Sequence, residues 1–63
     1  MLRFYDFKGN AIWFNVNSIT MVKEILKGKH IGGTRVYVRG NKKPWLVDFP
    51  IEKSVVFINR SMT

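Results

Sequence analysis

The sequence predicts a small, mainly β domain: a five-stranded, strongly bent sheet or small barrel that ends in one short helix. Three observations support this prediction. A chain of 63 residues has room for one domain, residues 1–63, and no more. Short runs rich in aromatic and β-branched residues recur at even spacing, which is typical of strands. Glycine, asparagine and proline separate these runs, which is typical of tight turns.

The first predicted element is a hairpin. Residues 2–7 and 11–16 alternate in side-chain character, and residues 8–10 supply a glycine for a three-residue loop. Pairing Phe4 with Phe14 separates the side chains into two faces. The predicted inner face is Leu2, Phe4, Ile12, Phe14 and Val16. The predicted outer face is Arg3, Tyr5, Phe7, Ala11 and Trp13.

Residues 19–26 form the third predicted strand, because their β-branched content favours a strand. A short helix is the alternative, since Ile19, Val22 and Ile25 also fit a three-residue spacing. Residues 27–33 follow as a turn or loop that contains three glycines.

The second predicted hairpin pairs strands at 34–39 and 45–49. Pro44 precedes the later strand, at a position where its missing N–H is tolerated. A register with Val38 opposite Trp45 separates an inner from an outer face. The predicted inner face is Val36, Val38, Trp45, Val47 and Phe49. The predicted outer face is Arg35 (opposite Asp48), Tyr37, Arg39 and Leu46.

The last predicted element is a helix that has Pro50 as its first residue and Glu52 in its first turn. Its predicted buried stripe is Ile51, Val55 and Ile58. A sixth strand is the alternative, because residues 54–59 have high strand propensity. Five short strands and one small closing element match the size of an SH3-like barrel.

Positive charge dominates the composition. Eleven Lys and Arg against four Asp and Glu give a net charge of +7. Residues 23–43 contain seven of the basic residues and one acid. Charge this concentrated attracts polyanions such as nucleic acid, an anionic membrane surface or an acidic protein. The alternative is that the charge only keeps a small aromatic-rich protein in solution.

An aromatic residue among cations predicts a nucleic-acid-binding surface. Tyr37 lies between Arg35 and Arg39 on one face of the fourth strand. Cations that contact phosphates release counterions, so binding is salt-sensitive, and an exposed ring stacks on bases. The alternative to a binding surface is that the terminal element or a second subunit covers the aromatic residues of the first hairpin, Tyr5, Phe7 and Trp13. The predicted nucleic-acid-binding residues are Arg35, Tyr37, Arg39, Lys42, Lys43, Lys27, Lys29, Arg3, Tyr5 and Trp13.

The sequence predicts neither catalysis nor a metal or other cofactor. It has no cysteine and one histidine, His30, so thiolate and multi-histidine metal sites are excluded. We interpret His30 as a solvated loop residue or an auxiliary phosphate contact. Residues 28–33 lack the spacing of a P-loop. Four carboxylates have positive neighbours in the sequence or across strands: Asp6, Glu24, Asp48 and Glu52. We interpret them as charge partners of these neighbours rather than as a catalytic acid pair.

We therefore expect a non-catalytic, cytoplasmic module that binds DNA or RNA without sequence specificity. The apolar run at 55–58 is too short to span a membrane, and Arg3, Asp6 and Lys8 interrupt any signal-like segment. The alternative is a regulatory module, an inhibitor or adaptor that docks on a protein partner through exposed aromatics or a sheet edge. A homodimer is also expected, because so small an open sheet leaves its edges uncovered.

Apolar residues spaced around two glycines carry a first resemblance. They are Phe7-Lys8-Gly9, Phe14-Asn15, Ile19, Val22, Val36, Val38, Gly40 and Val47. This spacing resembles that of the small flagellar FlbD-type proteins. The resemblance implies two hairpins, an intervening strand and a terminal helix. Residues 50–53 stand where that family has an acidic segment.

Basic composition and length, together with Phe4, Lys8-Gly9, residues 16–19 and Val22, carry a second resemblance. The chain is similar here to the archaeal seven-kilodalton chromatin proteins, which bind DNA through a three-stranded sheet and wedge apolar side chains into the minor groove. This chain has Lys23 where that pattern has a tryptophan. The resemblance therefore implies an architecture and a binding face, without the wedge.

Overall fold

Five short strands and a C-terminal helix follow one another along the chain. A computed structural model describes residues 1–62. Its elements are β1 (Leu2–Tyr5), β2 (Ala11–Phe14), a 3-10 helix (Val16–Ser18), β3 (Ile19–Glu24), β4 (Thr34–Val38), β5 (Trp45–Val47) and α1 (Ile51–Ser61).

The strands form two antiparallel sheets, one of β1 and β2 and one in the order β3-β4-β5. The mainly β prediction is confirmed, as are β3 in place of a short helix and α1 in place of a sixth strand. Within residues 1–62 the two sheets do not close into a barrel. The Asp48 N–H donates to the Tyr5 carbonyl oxygen at 2.8 Å and so joins the second sheet to the first.

The β1–β2 loop has the predicted three residues but starts one residue earlier, at Phe7. Asp6 N–H donates to the Asn10 carbonyl oxygen at 2.9 Å, and Gly9 takes the positive φ of 87°. The register therefore places Phe4 opposite Ile12, two residues from the predicted partner. A two-residue shift leaves every side chain on its face, because side chains alternate with a period of two.

The core lies between the two sheets and α1. Its buried apolar residues are Leu2, Phe4, Phe14, Val36, Val47 and Ile58. The Phe4 ring makes edge contacts with Phe14, Phe49 and Phe57, with centroids 5.6, 5.9 and 5.5 Å apart. Since Phe49 follows β5 and Phe57 lies on α1, this one ring links both sheets to the helix.

A buried pair of hydroxyl groups fixes α1 against β4. Thr34 Oγ1 donates to the Phe49 carbonyl oxygen at 2.7 Å and lies 3.3 Å from Ser54 Oγ. Thr34 and Ser54 are both fully buried. Because the single Thr34 hydroxyl proton points to Phe49, the Ser54 hydroxyl donates to Thr34. Every hydroxyl group of this pair therefore has a partner.

The β4–β5 register also differs from the prediction by two residues. Trp45 lies opposite Val36 instead of Val38, and Arg35 lies opposite Leu46 instead of Asp48. Trp45 was predicted to be in the core, but 44% of its surface is exposed, so that assignment is wrong. The predicted placement of Arg35 opposite Asp48 is also wrong, because of the shifted register.

The backbone after β4 makes its hydrogen bonds outside β5. Arg39 N–H donates to the Ser18 carbonyl oxygen at 2.8 Å, and Asn41 N–H donates to the Val38 carbonyl oxygen at 3.1 Å. Pairing with β5 ends at Val36, and the chain leaves the sheet before it turns back.

The helix differs from the prediction in two details. Pro50 is the N-cap, one residue before the helix begins. Ile58 is buried as predicted, but Val55 is 38% exposed. Ser54, which was not predicted to be buried, is buried together with Ile58. The two residues are four apart, which is the spacing of one helix face.

We expect Phe14→Ala to reduce the free energy of unfolding by about 3–5 kcal/mol, the usual range for removing a buried phenylalanine. The neighbouring variant Trp13→Ala is the control, because Trp13 is 59% exposed. We expect it to change stability by less than about 1 kcal/mol, the order of an exposed cation–π contact. Urea unfolding followed by circular dichroism measures both. Equal effects would contradict the assignment of the two faces of β2.

We expect Thr34→Val to destabilise the domain by about 1–3 kcal/mol, because it leaves the Phe49 carbonyl oxygen and the Ser54 hydroxyl without their partner. Thr20→Val is the matched control, since Thr20 is an exposed threonine whose hydroxyl donates to the Tyr37 carbonyl oxygen at 3.3 Å. A surface change of this kind should stay within about 0.5 kcal/mol. Thermal unfolding that ranks the two variants in the opposite order would refute this role of the buried hydroxyl.

Candidate functional site

Five of the seven predicted basic residues lie at the two ends of the three-stranded sheet. Residues 39–44, which connect β4 to β5, contain Arg39, Lys42 and Lys43. Residues 25–33, which connect β3 to β4, contain Lys27 and Lys29. At about 3.3 Å per residue, the length of β4 separates these groups by roughly 13 Å. We call them the turn end and the loop end.

The outer face of the three-stranded sheet carries Arg35 and Tyr37, as predicted. Tyr37 is half-buried, and the Lys23 ammonium lies 5.9 Å from the centroid of its ring. Lys23 is opposite Arg35 on the neighbouring strand. The Tyr37 ring is thus partly covered by a cation, which leaves less of it for stacking. Lys23 is a member of this face that the sequence did not single out.

The outer face of the first hairpin presents a cation between two exposed rings. The Arg3 guanidinium lies 5.5 Å from the Tyr5 ring centroid and 5.6 Å from that of Trp13. Tyr5 is 47% exposed and Trp13 is 59% exposed, so α1 does not cover them. Cation–π attraction holds the three side chains in one layer.

The turn end is held rigidly by backbone hydrogen bonds. Residues 38–41 form a type II turn, closed by the hydrogen bond from the Asn41 N–H to the Val38 carbonyl oxygen. Such a turn needs a positive φ at its third position, and Gly40 there has a φ of 87°. Arg39 anchors this turn on the 3-10 helix through its N–H to Ser18 and through Nη2 to the Asn17 carbonyl oxygen at 3.5 Å.

A cavity of about 270 Å³ lies between the turn end and the first hairpin. Trp13, Trp45 and Asn41 are among its lining residues. The Trp45 ring makes an edge contact with Phe14, with centroids 6.4 Å apart. Lys42 and Lys43 line an adjoining, wider concavity that shares Asn41 and Trp45 with the cavity. The structure thus brings together the two tryptophans and the basic turn.

Sequence reasoning missed Trp45 as a surface residue. Its aromatic ring and its place in an alternating run both indicate a core position. One signal could have revealed it: Trp45 is the first residue after Pro44 and a basic turn, and a residue at a strand end is covered on fewer sides than one in the middle.

The loop end covers one aromatic residue of the first hairpin. The Phe7 and His30 rings stack with centroids 4.0 Å apart, and both residues are half-buried. A Cβ at Gly33 would collide with the Phe7 ring and lie 2.8 Å from the Val47 carbonyl oxygen, so the glycine lets the loop close on the ring. His30 is therefore half-buried against Phe7, which corrects its interpretation as a solvated loop residue, whereas a role as an auxiliary phosphate contact stays a prediction.

Asp6 binds backbone N–H groups in the first loop. Its Oδ1 accepts from the N–H of Lys8 at 2.9 Å and from that of Asn10 at 2.8 Å. The hydrogen bond from Asn10 is the main cause that lowers the pKa of Asp6 below 3.8. Asp6 thus stabilises the loop chiefly through the backbone rather than through a cationic side chain.

Within residues 1–62 there is no group of three or more His, Cys, Asp or Glu side chains that could hold a metal ion. In the same part of the chain, no helix is long and apolar enough to cross a membrane.

The chain matches no protein-family model, no curated protein and no solved structure. The two resemblances noted in the sequence therefore stay predictions.

We expect the stabilising effect of Asp6 to be lost on acidification. A lowered pKa in the folded state means that the stabilisation is complete above the unfolded value of 3.8 and declines as the pH falls through the folded value. Asp6→Asn keeps an oxygen acceptor and removes the charge, so it should be less stable than the parent at neutral pH. The difference in melting temperature should shrink as the pH falls from about 5 to about 2. A constant difference across this range would contradict the assignment.

Proposed function

We propose that this protein is a non-catalytic, basic module that binds nucleic acid, with its main contact surface at the turn end. One observation carries the proposal: two exposed tryptophans line one cavity, and two lysines adjoin it. The proposed contact residues at this end are Arg3, Tyr5, Trp13, Arg39, Lys42, Lys43 and Trp45.

The exposure of the tryptophans supports a ligand at this place. Trp13 and Trp45 could each contribute a large buried area to a core that contains few residues, yet they are 59% and 44% exposed. Exposed apolar surface rimmed by polar groups marks interaction sites. Because an indole face stacks on any base, a pair of them favours a single strand whose bases are unpaired.

The charge supports a polyanion. Within residues 1–62 neither Lys42 nor Lys43 has an ion-pair partner, so both ammonium groups are available to phosphates. Lys23 and Arg35 continue the positive surface across the sheet toward Lys27 and Lys29 at the loop end. We propose that a strand of DNA or RNA lies along this path in the cytoplasm, held mainly by contacts to its phosphates and by base stacking.

We expect the double variant Lys42→Ala/Lys43→Ala to bind a single-stranded oligonucleotide more weakly and to lower the salt dependence of log K by up to about 1.4 units, or about 0.7 per lost phosphate contact on a single strand. Fluorescence anisotropy with a labelled oligonucleotide at several salt concentrations measures both quantities. Neither lysine is buried, so the fold should be unaffected, which circular dichroism checks.

The matched control is Lys27→Ala/Lys29→Ala, which removes the same charge from the loop end. We expect a smaller effect, since these lysines are far from the tryptophans. Equal effects would mean that net charge alone binds the strand and would remove the turn end as the main surface. No binding by the parent protein at low salt would overturn the proposed function.

A second candidate function is supported by the outer side of α1. Phe49, Lys53, Val56 and Phe57 are among the residues that line a groove of about 400 Å³, and Val56 is 50% exposed. An apolar groove beside a helix fits a protein partner or a second copy of this chain. If no nucleic acid binds, the function to examine is that of a regulatory module that docks on a protein partner through this groove. The expected homodimer would use the same groove.

A further inference from the structure

We propose that the cavity between Trp13 and Trp45 holds one unstacked nucleobase, with adenine preferred, and that the side-chain amide of Asn41 reads the edge of that base. This inference deepens the proposed function and depends on it. Asn41, which is neither charged nor aromatic, would then determine the base preference.

The size of the cavity fits a single base. Its volume is about 270 Å³, slightly below the range of about 300–1,000 Å³ that accommodates drug-sized ligands. A planar ring system with part of its sugar fits such a space, whereas a stack of several bases or a duplex does not. The cavity would thus take one base from a strand that runs along the basic turn.

Two of the walls are held in place before any ligand binds. The Arg3 guanidinium lies 5.6 Å from the Trp13 ring centroid, and the Phe14 ring makes its edge contact with Trp45. Phe14 is itself buried in the core, so Trp45 is positioned by a rigid neighbour. Ordered aromatic walls reduce the entropy lost on binding.

Asn41 supplies the polar group that can distinguish bases. Its amide offers both a donor and an acceptor, and among residues 1–62 this side chain has no hydrogen-bond partner. The type II turn fixes its backbone at the cavity. The paired donor and acceptor of an asparagine amide match N7 and the N6 amino group on the Hoogsteen edge of adenine. The Watson–Crick edges of unpaired cytosine and thymine also pair a donor with an acceptor, so a preference for adenine means that the amide meets the Hoogsteen edge.

The test compares three single-stranded heptamers of deoxyadenosine, deoxycytidine and deoxythymidine. Both tryptophans of the chain line the cavity, so quenching of the intrinsic fluorescence reports occupation of this place. We expect all three heptamers to quench the fluorescence, with the adenine heptamer bound about 5- to 150-fold more tightly, the range of one good base contact.

Asn41→Ala should equalise the three affinities and leave the salt dependence unchanged, because the amide contacts no phosphate. Asn59→Ala is the matched control, since Asn59 is an exposed asparagine on α1, and it should keep the preference. Trp13→Ala should weaken binding of all three heptamers, because stacking accepts any base.

The outcomes separate the two proposals. Binding that is weakened by Lys42→Ala/Lys43→Ala but shows no adenine preference, or a preference that survives Asn41→Ala, would overturn the base-reading role and leave the proposed function in place. Binding without tryptophan quenching would overturn occupation of the cavity. If no heptamer binds even at low salt, the proposed function fails and this inference fails with it.

Discussion

The buried hydroxyl of Thr34 is the interaction on which the arrangement of this small domain depends. It joins three parts of the chain at one point: β4, the segment after β5 through the Phe49 carbonyl oxygen, and α1 through Ser54. The apolar contacts around Phe4 are strong but non-directional, so they do not by themselves select one register for β5 or one rotation for α1. A hydrogen bond does so, because it tolerates little change in distance or angle.

The same constraint explains why the candidate surface lies at the other end of the sheet. With Thr34 fixed opposite Val47, Trp45 falls opposite Val36, and the remainder of β4 extends past β5. The N–H groups of Arg39 and Asn41 donate to carbonyl oxygens in the 3-10 helix and within the turn, so these two donors are satisfied where the chain leaves the sheet. The cavity lined by Trp45 lies where residues 39–44 leave the sheet.

The sequence predicted the strands, the helix and the inner and outer faces of most residues, because alternation and turn residues are local signals. It could not predict the registers. Both hairpins differ from the expected pairing by two residues, and such a shift keeps every face, so the alternation of Phe4 or Val36 is equally compatible with both pairings. The two pairings differ only in which residues the strand ends cover. Trp45, predicted to be in the core, therefore lines a cavity at the surface. The site prediction therefore included Trp13, Lys42 and Lys43 but not the tryptophan that joins them.

Charge and stability are in tension in this molecule, and the tension favours a polyanionic ligand. A net charge of +7 on 63 residues weakens a compact state through self-repulsion, and the core that opposes this repulsion has six residues in its main cluster. Phosphates bound along the turn end would neutralise Lys42 and Lys43, and a ligand that binds only the folded state stabilises it by mass action. The same cations that weaken the isolated domain would then strengthen the complex.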